Sequence, residues 1–383
     1  MNSLVETIKT SSVCDEAPPA AAIIGEPAWR DTTDTNTEDL QQKFGAYRPS
    51  MLSALSREMQ SSEQLVVGLL PSRSITLLVG DSGLGKSPLL YQLALCVATG
   101  QPFLEFPVRQ GAVIIFDHEN GVGQTEEILS TVGRFLGLDS LPDANLLIWN
   151  ANCAPVRWGR EGYTHMDLVR AVRPSLVVID PLVAILPEME ARNEIARRVF
   201  QDTLRPLISE IGCSIAGIHH IRKQSTRSEH PVPSLVESDW RRWFDQTRGA
   251  GAMINASDVR LGVDAPGFSI RDQTNDGRNE ETALIMRGFG RVRGEIPLMH
   301  ITRVYDGDGK PLGYSRATGT SLLDMTDQRN TYSALPSRFR FTEAKTIYGR
   351  RDQATIDFLK KCQGLGLLRK DGNFYEKVQA SEN

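Results

Sequence analysis

Residues 75–88 read ITLLVGDSGLGKSP, an apolar run that passes directly into a glycine-rich loop. The loop matches the pattern G-x-x-x-x-G-K-[ST], in which backbone N–H groups and a following helix N-terminus converge on the phosphates of a nucleotide. An apolar strand in front of the loop is the setting that this motif requires. The residues expected to contact the nucleotide are Gly80, Asp81, Ser82, Gly83, Leu84, Gly85, Lys86, Ser87 and Pro88.

Two side chains of this loop carry the expected chemistry. Lys86 would bridge the β- and γ-phosphates, and Ser87 would hold Mg²⁺ with its hydroxyl. Pro88 falls in the first helical turn, where a missing backbone N–H costs little. The alternative is a chance glycine-rich loop, which a complete motif directly behind an apolar strand disfavours. The sequence therefore predicts binding of ATP together with Mg²⁺.

The composition is that of an ordinary globular protein. At 383 residues the chain is long enough for one large core and a small second domain. It has no apolar run near the ~20 residues of a membrane helix, and its first residues lack the pattern of a secretory signal. Its five cysteines are scattered without metal-ligand spacing, which is typical of reduced intracellular thiols. We therefore expect a cytoplasmic protein with no membrane partner.

Charge is unevenly distributed along the chain. The net charge is −4, and residues 1–50 carry four Lys/Arg against eight Asp/Glu, which leaves the remainder neutral. A neutral body still permits nucleic-acid binding, because a local basic stripe is sufficient. Residues 1–45 are polar, and we expect them to form a disordered arm.

Strand-like apolar runs alternate with helical patterns over residues 46–313. The predicted strands are Ile75–Val79, Ala112–Phe116, Leu146–Trp149, Leu176–Ile179, Cys213–Ile218, Asp258–Val263, Ala283–Met286 and Leu298–Val304. The predicted helices cover residues 87–99, 123–137, 164–173 and 191–211. This alternation predicts an α/β fold with a mostly parallel, doubly wound sheet that is buried on both faces. Residues 314–335 are expected to be a linker to a compact unit at 336–383.

Carboxylates follow two of the predicted strands, at the end where parallel sheets collect their ligands. Asp180 ends the run LVVID, where phosphate-loop enzymes place an aspartate that orients Mg²⁺. Glu119 lies in the cluster DHEN after another strand, and a glutamate there can polarise the water that attacks the γ-phosphate. Asp117 competes for this role. The alternative for each of these carboxylates is a structural one, as the cap of a buried strand or in an ion pair of the loop.

His219 and His220 end the next predicted core strand. A zinc site would need a further ligand at suitable spacing, and the sequence shows none. The favoured interpretation is a polar sensor of the γ-phosphate that passes its state to the following loop. A structural hydrogen-bonding pair is the alternative.

Residues 221–247 form a long irregular segment in which basic and aromatic residues alternate. Cations for phosphate and rings for base stacking suit single-stranded nucleic acid. The predicted DNA contacts are Arg222, Lys223, Arg241, Arg242 and Trp243. The alternative is a surface insertion whose aromatic side chains pack on a neighbouring element.

Arg248 follows this segment on the glycine-rich turn RGAGA. A cation on such a turn is suited to act as an arginine finger, which stabilises charge on the transferred phosphoryl group. It could serve the nucleotide of a neighbouring subunit.

About residues 64–305 resemble the RecA-like ATPases of the RepA type, the plasmid hexameric replicative helicases, and more distantly the DnaB-type ring helicases. The resemblance lies in the order and spacing of VGLLP, the phosphate loop, DHEN, DPL, HHIRK, RGAGA and NASDV. It implies a RecA-like core, hexameric rings and a single DNA strand in a central channel. The segment at 222–247 is longer than is typical of that family.

The same resemblance implies a role for each matching residue. Glu119 corresponds to the catalytic glutamate and Asp180 to the Mg²⁺-associated aspartate. His220 or His219 corresponds to the sensor histidine, and Arg248 to the finger supplied in trans.

Residues 336–383 are predicted to form a helix, a turn, a second helix and a hairpin, an arrangement that looks like a winged helix. Residues 338–383 carry ten Lys/Arg against six Asp/Glu, a modest excess that is compatible with DNA. Arg350 and Arg351 are the predicted groove contacts. Winged helices also dock proteins, which is the alternative for this unit.

Together these observations predict a DNA-associated, oligomeric ATPase that moves on or remodels DNA, in replication. One alternative is a DNA-binding regulator that uses ATP as an assembly switch and does not unwind DNA. A second is a small-molecule kinase, which would need a lid and an acceptor pocket that the sequence does not show.

Overall fold

The structure is a computed structural model that describes residues 63–150, 165–185, 187–222, 233–249, 251–265, 283–291, 294–308, 310–323 and 326–378. The arm expected at residues 1–45 and the predicted DNA contact Lys223 lie outside these ranges.

The described residues form strands, α-helices and shorter helical turns. The strands are β1 (Gln64–Val66), β2 (Leu70–Pro71), β3 (Ile75–Gly80), β4 (Val113–Asp117), β5 (Leu146–Asn150), β6 (Leu176–Asp180), β7 (Ser214–His220), β8 (Val259–Asp264), β9 (Ala283–Gly290), β10 (Gly294–Tyr305), β11 (Pro311–Ala317), β12 (Arg338–Arg340), β13 (Leu368–Asp371) and β14 (Phe374–Lys377). The α-helices are α1 (Lys86–Thr99), α2 (Val122–Phe135), α3 (His165–Val172), α4 (Asn193–Arg198), α5 (Arg205–Ile211), α6 (Gly251–Ala256), α7 (Thr326–Ala334), α8 (Phe341–Tyr348) and α9 (Asp352–Gly364).

Nine of the described strands form one sheet in the order β11-β10-β9-β8-β3-β7-β6-β4-β5. The strands from β8 to β5 run parallel, and β9, β10 and β11 extend the sheet as antiparallel neighbours. Every residue of β3, β4 and β6 is buried, as expected for a sheet covered on both faces. The mostly parallel α/β core predicted from the sequence is confirmed.

Two apolar clusters cover the two faces of this sheet. Along β6, Val178 packs in one cluster, whereas Val177 and Ile179 pack in the other. Successive side chains of a strand point to opposite faces, so a continuous apolar run places side chains in both apolar clusters. This explains why the strands could be recognised from apolar runs without polar alternation.

The helical region at residues 191–211 is interrupted rather than continuous. A π-helical segment, Val199–Leu204, separates α4 from α5. Phe200 is 1% exposed, and Leu204 is fully buried. The wider turn therefore keeps both side chains in the core without ending the helix, a small departure that regular helical spacing does not reveal.

Residues 314–335 are not a linker, which corrects the prediction. They contain most of β11, a 3₁₀ turn (Gly319–Leu322) and α7. The Gln92 side chain on α1 explains why the chain stays in the core here, because it hydrogen-bonds both the backbone N–H and the carbonyl of Tyr314 at 2.8 Å. The polar residues before β11 form the turn of the β10–β11 hairpin.

The C-terminal residues fold as a helix–turn–helix followed by a hairpin, in the predicted order. A three-stranded antiparallel sheet, ordered β12-β14-β13, packs with α8 and α9. Phe339, Phe358 and Leu359 are buried in its own apolar cluster. This unit contacts the large sheet through His300 on β10, whose Nε2 lies 2.6 Å from the carbonyl oxygen of Leu365.

Candidate nucleotide-binding site

The phosphate loop joins the end of β3 to the start of α1. Gly83 and Gly85 adopt φ angles of 81° and 80°, a left-handed conformation that glycine takes without steric cost. Lys86 is buried, and its Nζ donates to the backbone oxygen of Asp81 at 2.6 Å. Burial lowers the pKa of Lys86, while the nearby carboxylates Asp180, Glu119 and Asp81 raise it. The Lys86 side chain is therefore held against the backbone of its own loop and close to these carboxylates, at the position where a triphosphate would bind.

Parallel pairing brings the other predicted residues to the same edge of the sheet. Asp117 at the end of β4 pairs with Asp180 at the end of β6. Gly80 at the end of β3 pairs with His220 at the end of β7. Motifs that lie far apart in sequence thus meet at the carboxyl ends of adjacent strands, as predicted from their positions after apolar runs.

Asp180 is fully buried, and neither of its carboxylate oxygens has a hydrogen-bond partner within the described residues. Burial raises the pKa of Asp180 to about 7, the Ser87 hydroxyl opposes this shift, and the charges of Asp117 and Glu119 add to it. An unpaired buried carboxylate beside a serine hydroxyl fits Mg²⁺, which takes one or two protein oxygens and completes its shell with phosphate and water. The predicted pair Ser87 and Asp180 therefore fits the metal of a nucleotide complex.

Asp117 is also buried, but its oxygens are fully engaged. Its carboxylate accepts from the backbone N–H groups of Glu119 and Asn120, from the Asn120 side chain, and from the Thr125 hydroxyl at 2.6 Å. These bonds fix the loop that carries Glu119. Asp117 has no capacity left to activate water, which favours Glu119 for that role.

Glu119 and His220 face each other beside the phosphate loop. Glu119 Oε2 lies 3.8 Å from His220 Nε2, and the glutamate side chain is 48% exposed, so water can reach it. Burial lowers the pKa of His220 to about 4, and the positive charge of Lys86 acts in the same direction. His220 is therefore neutral at physiological pH and can take part in hydrogen bonds without adding charge.

Arg248 lies on a turn that is tied to the histidine strand. Its backbone N–H donates to the His220 carbonyl at 2.8 Å, and His219 Nε2 lies 2.6 Å from its carbonyl oxygen. Its side chain is 61% exposed and pairs with Glu190 of the same chain at 3.2 Å. The backbone of this turn is thus fixed next to the predicted sensor, while the guanidinium points to the surface.

Sequence reasoning missed a cavity of about 570 Å³ beside the phosphate loop. Two strand residues close it against the loop: the Tyr314 hydroxyl donates to the Gly85 carbonyl at 2.8 Å, and Arg303 Nη2 donates to the Gly83 carbonyl at 3.3 Å. No motif marks these two residues, which lie more than 200 positions after the loop. The lining residues include Pro88, Ile128, Val132, Arg134, Arg303, Lys310, Leu312 and Tyr314.

The predicted DNA-contact residues lie in different environments. Trp243 is only 1% exposed, and its Nε1 donates to Asp264 at 2.8 Å. Its predicted role in base stacking is therefore wrong for this conformation, and the alternative of aromatic packing fits. Arg241 and Arg242 are exposed, and Arg242 pairs with Asp239 at 3.2 Å.

The remaining basic candidates are also at the surface. Arg222 donates to the Gly249 carbonyl at 3.1 Å. In the C-terminal unit, Arg350 pairs with Asp327 at 3.0 Å, and Arg351 is exposed. Each of these arginines is accessible to a phosphate, although Arg350 would first have to leave its carboxylate partner.

No helix among the described residues is long and apolar enough to cross a membrane. No group of three or more His, Cys, Asp or Glu side chains in these ranges is placed to hold a metal ion. The Mg²⁺ of a nucleotide complex needs no such group, because phosphate and water complete its shell.

Comparison with known proteins agrees with this geometry. A search of curated proteins finds no match. The family model described as an AAA domain matches residues 45–226, a range that includes the phosphate loop, Glu119, Asp180 and both histidines. Residues 45–226 are therefore similar to an AAA domain, a P-loop domain of the RecA-like kind, and this similarity indicates an ATPase.

Proposed function

We propose that this protein is a Mg²⁺-dependent ATPase of the RepA-like helicase type, a hexameric, ring-shaped homo-oligomer that moves on or remodels DNA in replication. The observation that carries the ATPase proposal is the meeting of Lys86, Asp180, Glu119 and His220 around one phosphate loop. The RecA-like order of these motifs along the chain supports the ring and the DNA partner.

Each side chain has a defined task in the proposed reaction. Lys86 binds the β- and γ-phosphates, while Ser87 and Asp180 hold Mg²⁺, which neutralises charge on the phosphates. Glu119 orients the attacking water, and neutral His220 shares a hydrogen bond at the γ-phosphate side. Arg248, exposed on its turn, reaches the nucleotide of the adjoining protomer and stabilises the transition state.

The cavity beside the phosphate loop is proposed to receive the nucleoside. It combines apolar side chains with the Tyr314 ring and the Arg303 guanidinium, groups that suit a flat aromatic base. Lys86, Asp180, Glu119 and His220 are not among its lining residues. The cavity therefore lies away from the γ-phosphate, so it is not the acceptor pocket that a small-molecule kinase would need.

The DNA partner is proposed to contact the exposed arginines and the C-terminal unit. Arg222, Arg241 and Arg242 would line the strand path, and Arg350 and Arg351 would contact a groove if the helix–turn–helix and hairpin act as a winged helix. This same unit favours a second candidate function, an ATP-switched DNA-binding regulator. The two candidate functions differ in the rate of ATP hydrolysis, because only an ATPase that moves on DNA should hydrolyse ATP rapidly in response to DNA.

The test is the steady-state ATPase rate with and without single-stranded DNA. Wild type should be stimulated by DNA, and Glu119→Gln should lose at least about a hundredfold in rate while still binding nucleotide, the range seen for loss of a general base. Glu126→Gln, on the exposed side of α2, is the matched control and should behave as wild type. Undiminished hydrolysis in Glu119→Gln would remove Glu119 from its role, and slow turnover that DNA does not change would favour the regulator.

A further inference from the structure

Tyr91 is a buried phenol in the nucleotide site to which neither the motifs nor the proposed mechanism gives a task. It lies on α1 four residues after Ser87, so the two side chains share one face of the helix. Tyr91 is fully buried, and its hydroxyl has no hydrogen-bond partner within the described residues. An unpaired buried hydroxyl is costly, whereas phenylalanine would fill the same space without that cost.

Helix α1, which carries Tyr91, packs against β4 and β6, the two strands that end in the carboxylates Asp117 and Asp180. Burial raises the pKa of Tyr91, and the charges of Asp180 and then Asp117 add to this shift, in agreement with a phenol close to both groups. Asp117 is already satisfied by Asn120, Thr125 and the backbone of its own loop. Asp180 has no such partner. The carboxylate that needs a donor is therefore the one that would hold the metal.

We propose that Tyr91 is a positioning residue for the metal site: its hydroxyl donates to Asp180 and orients that carboxylate toward Mg²⁺ when the nucleotide complex binds. This inference rests on the proposed ATPase function. Ser87 and Asp180 are the groups that would hold the metal, and Tyr91 would act on it only through Asp180. A phenol donates a hydrogen bond without adding charge, so it stabilises the buried carboxylate without competing with the cation.

The experiment measures nucleotide binding rather than turnover. A fluorescent ADP analogue is bound to wild type and to Tyr91→Phe in EDTA, and Mg²⁺ is then titrated in. The affinity for the ADP analogue in the absence of metal should be the same for both proteins. The Mg²⁺ concentration at half-saturation should rise about tenfold in Tyr91→Phe, the effect expected for loss of one hydrogen bond to a charged group. The thermal midpoint of the variant should not fall, because the ring and its packing are kept.

Two further variants make the outcome decisive. Tyr332→Phe removes a tyrosine hydroxyl from the C-terminal unit, where it donates to Leu367 at 3.2 Å, and should leave the Mg²⁺ titration unchanged. Asp180→Asn should abolish the metal dependence of binding. An unchanged titration in Tyr91→Phe alongside a changed one in Asp180→Asn overturns the role of Tyr91 alone. An unchanged titration in Asp180→Asn contradicts the metal site itself and, with it, the proposed function.

Discussion

Asp180 ends a buried strand with both carboxylate oxygens unpaired, so its ionisation would be closely linked to binding of the proposed metal. A proton or a cation can neutralise a carboxylate at this depth, and each excludes the other. The raised pKa of about 7 means that neither form dominates near neutral pH in the nucleotide-free protein. We therefore expect Mg²⁺ binding at this proposed site to release a proton from the protein.

This competition predicts a pH dependence with a definite sign. Below pH 7 the protonated carboxyl excludes the metal, so the apparent Mg²⁺ affinity of the nucleotide complex should fall by about tenfold per pH unit and level off above pH 8. Calorimetry in buffers of different ionisation enthalpy should detect about half a proton released at pH 7. Asp180→Asn should show no such release. A flat Mg²⁺ affinity in wild type between pH 5.5 and 8 would contradict the prediction.

The same raised pKa affects the stability of the nucleotide-free protein. Its folded-state value lies above that of an unfolded aspartate, so the folded protein binds an extra proton between about pH 4 and pH 7. The resulting stabilisation is present at low pH and is lost as the pH rises through 7. Asp180→Asn should therefore increase the thermal midpoint more at pH 8 than at pH 5, and an equal shift at both would contradict this reasoning.

Single residues were predictable where their chemistry depends on local sequence. The phosphate loop forms within one strand–turn–helix unit, and Asp180 is identified by the apolar run directly before it. Arg303 and Tyr314 were missed because their contacts to the loop span 220 and 229 positions. Such contacts depend on how the antiparallel strands are added to the sheet, and no local pattern encodes that order.

At the scale of elements, the segment Trp240–Gln246 shows how one pattern can support two interpretations. Interleaved aromatic and basic residues suggested a nucleic-acid surface, but the segment is a 3₁₀ helix whose repeat of three residues places Trp240 and Trp243 on one buried side. Arg241 and Arg242 lie on the exposed side. The spacing of the two tryptophans was visible in the sequence, but its meaning depended on the short helix that tertiary packing stabilises.

This packing predicts the effect of removing the buried ring of Trp243. Trp243→Ala should lower the free energy of unfolding by about 3–5 kcal/mol, the usual cost of deleting a buried tryptophan side chain. It also removes the indole N–H that donates to Asp264 Oδ2. Denaturant unfolding measures the loss. Arg242→Ala, which removes an exposed ion pair, should change stability by no more than about 1 kcal/mol. Near-wild-type stability in Trp243→Ala would show that the ring is not part of the core.

At the scale of the whole molecule, β10 joins the nucleotide site to the C-terminal unit. Arg303 contacts the phosphate loop, and His300, three residues earlier on the same strand, contacts Leu365. Leu298 also lies close to Gly366, near the same turn. One strand therefore contacts both the phosphate loop and the C-terminal unit.

The contacts of β10 predict that nucleotide binding protects amides of the C-terminal unit from hydrogen exchange. Hydrogen exchange of the amides around Leu365 and Leu368 should slow when a non-hydrolysable ATP analogue binds, since a fixed β10 restrains the turn that His300 contacts. His300→Leu should speed this exchange and remove its response to nucleotide. Glu295→Gln, at the opposite end of β10, is the control and should respond as wild type. If hydrogen exchange at these amides is the same with and without nucleotide in the wild-type protein, the His300–Leu365 contact does not couple the nucleotide site to the C-terminal unit.

The assembly itself is tested by asking whether Arg248 acts between chains. Within its own chain Arg248 pairs with the partly buried carboxylate of Glu190 and is 61% exposed, so its guanidinium is accessible to the proposed site on another protomer. Arg248→Ala and Lys86→Ala should each be inactive alone. In a one-to-one mixture about a quarter of the head-to-tail interfaces would combine an intact loop with an intact finger, and activity should return in that proportion. Glu190→Gln should remain active, because it frees the finger without removing it. Failure to recover activity at any mixing ratio, with mixed assemblies demonstrated by native mass spectrometry, would place Arg248 in its own chain's site and remove the main reason for a shared catalytic interface.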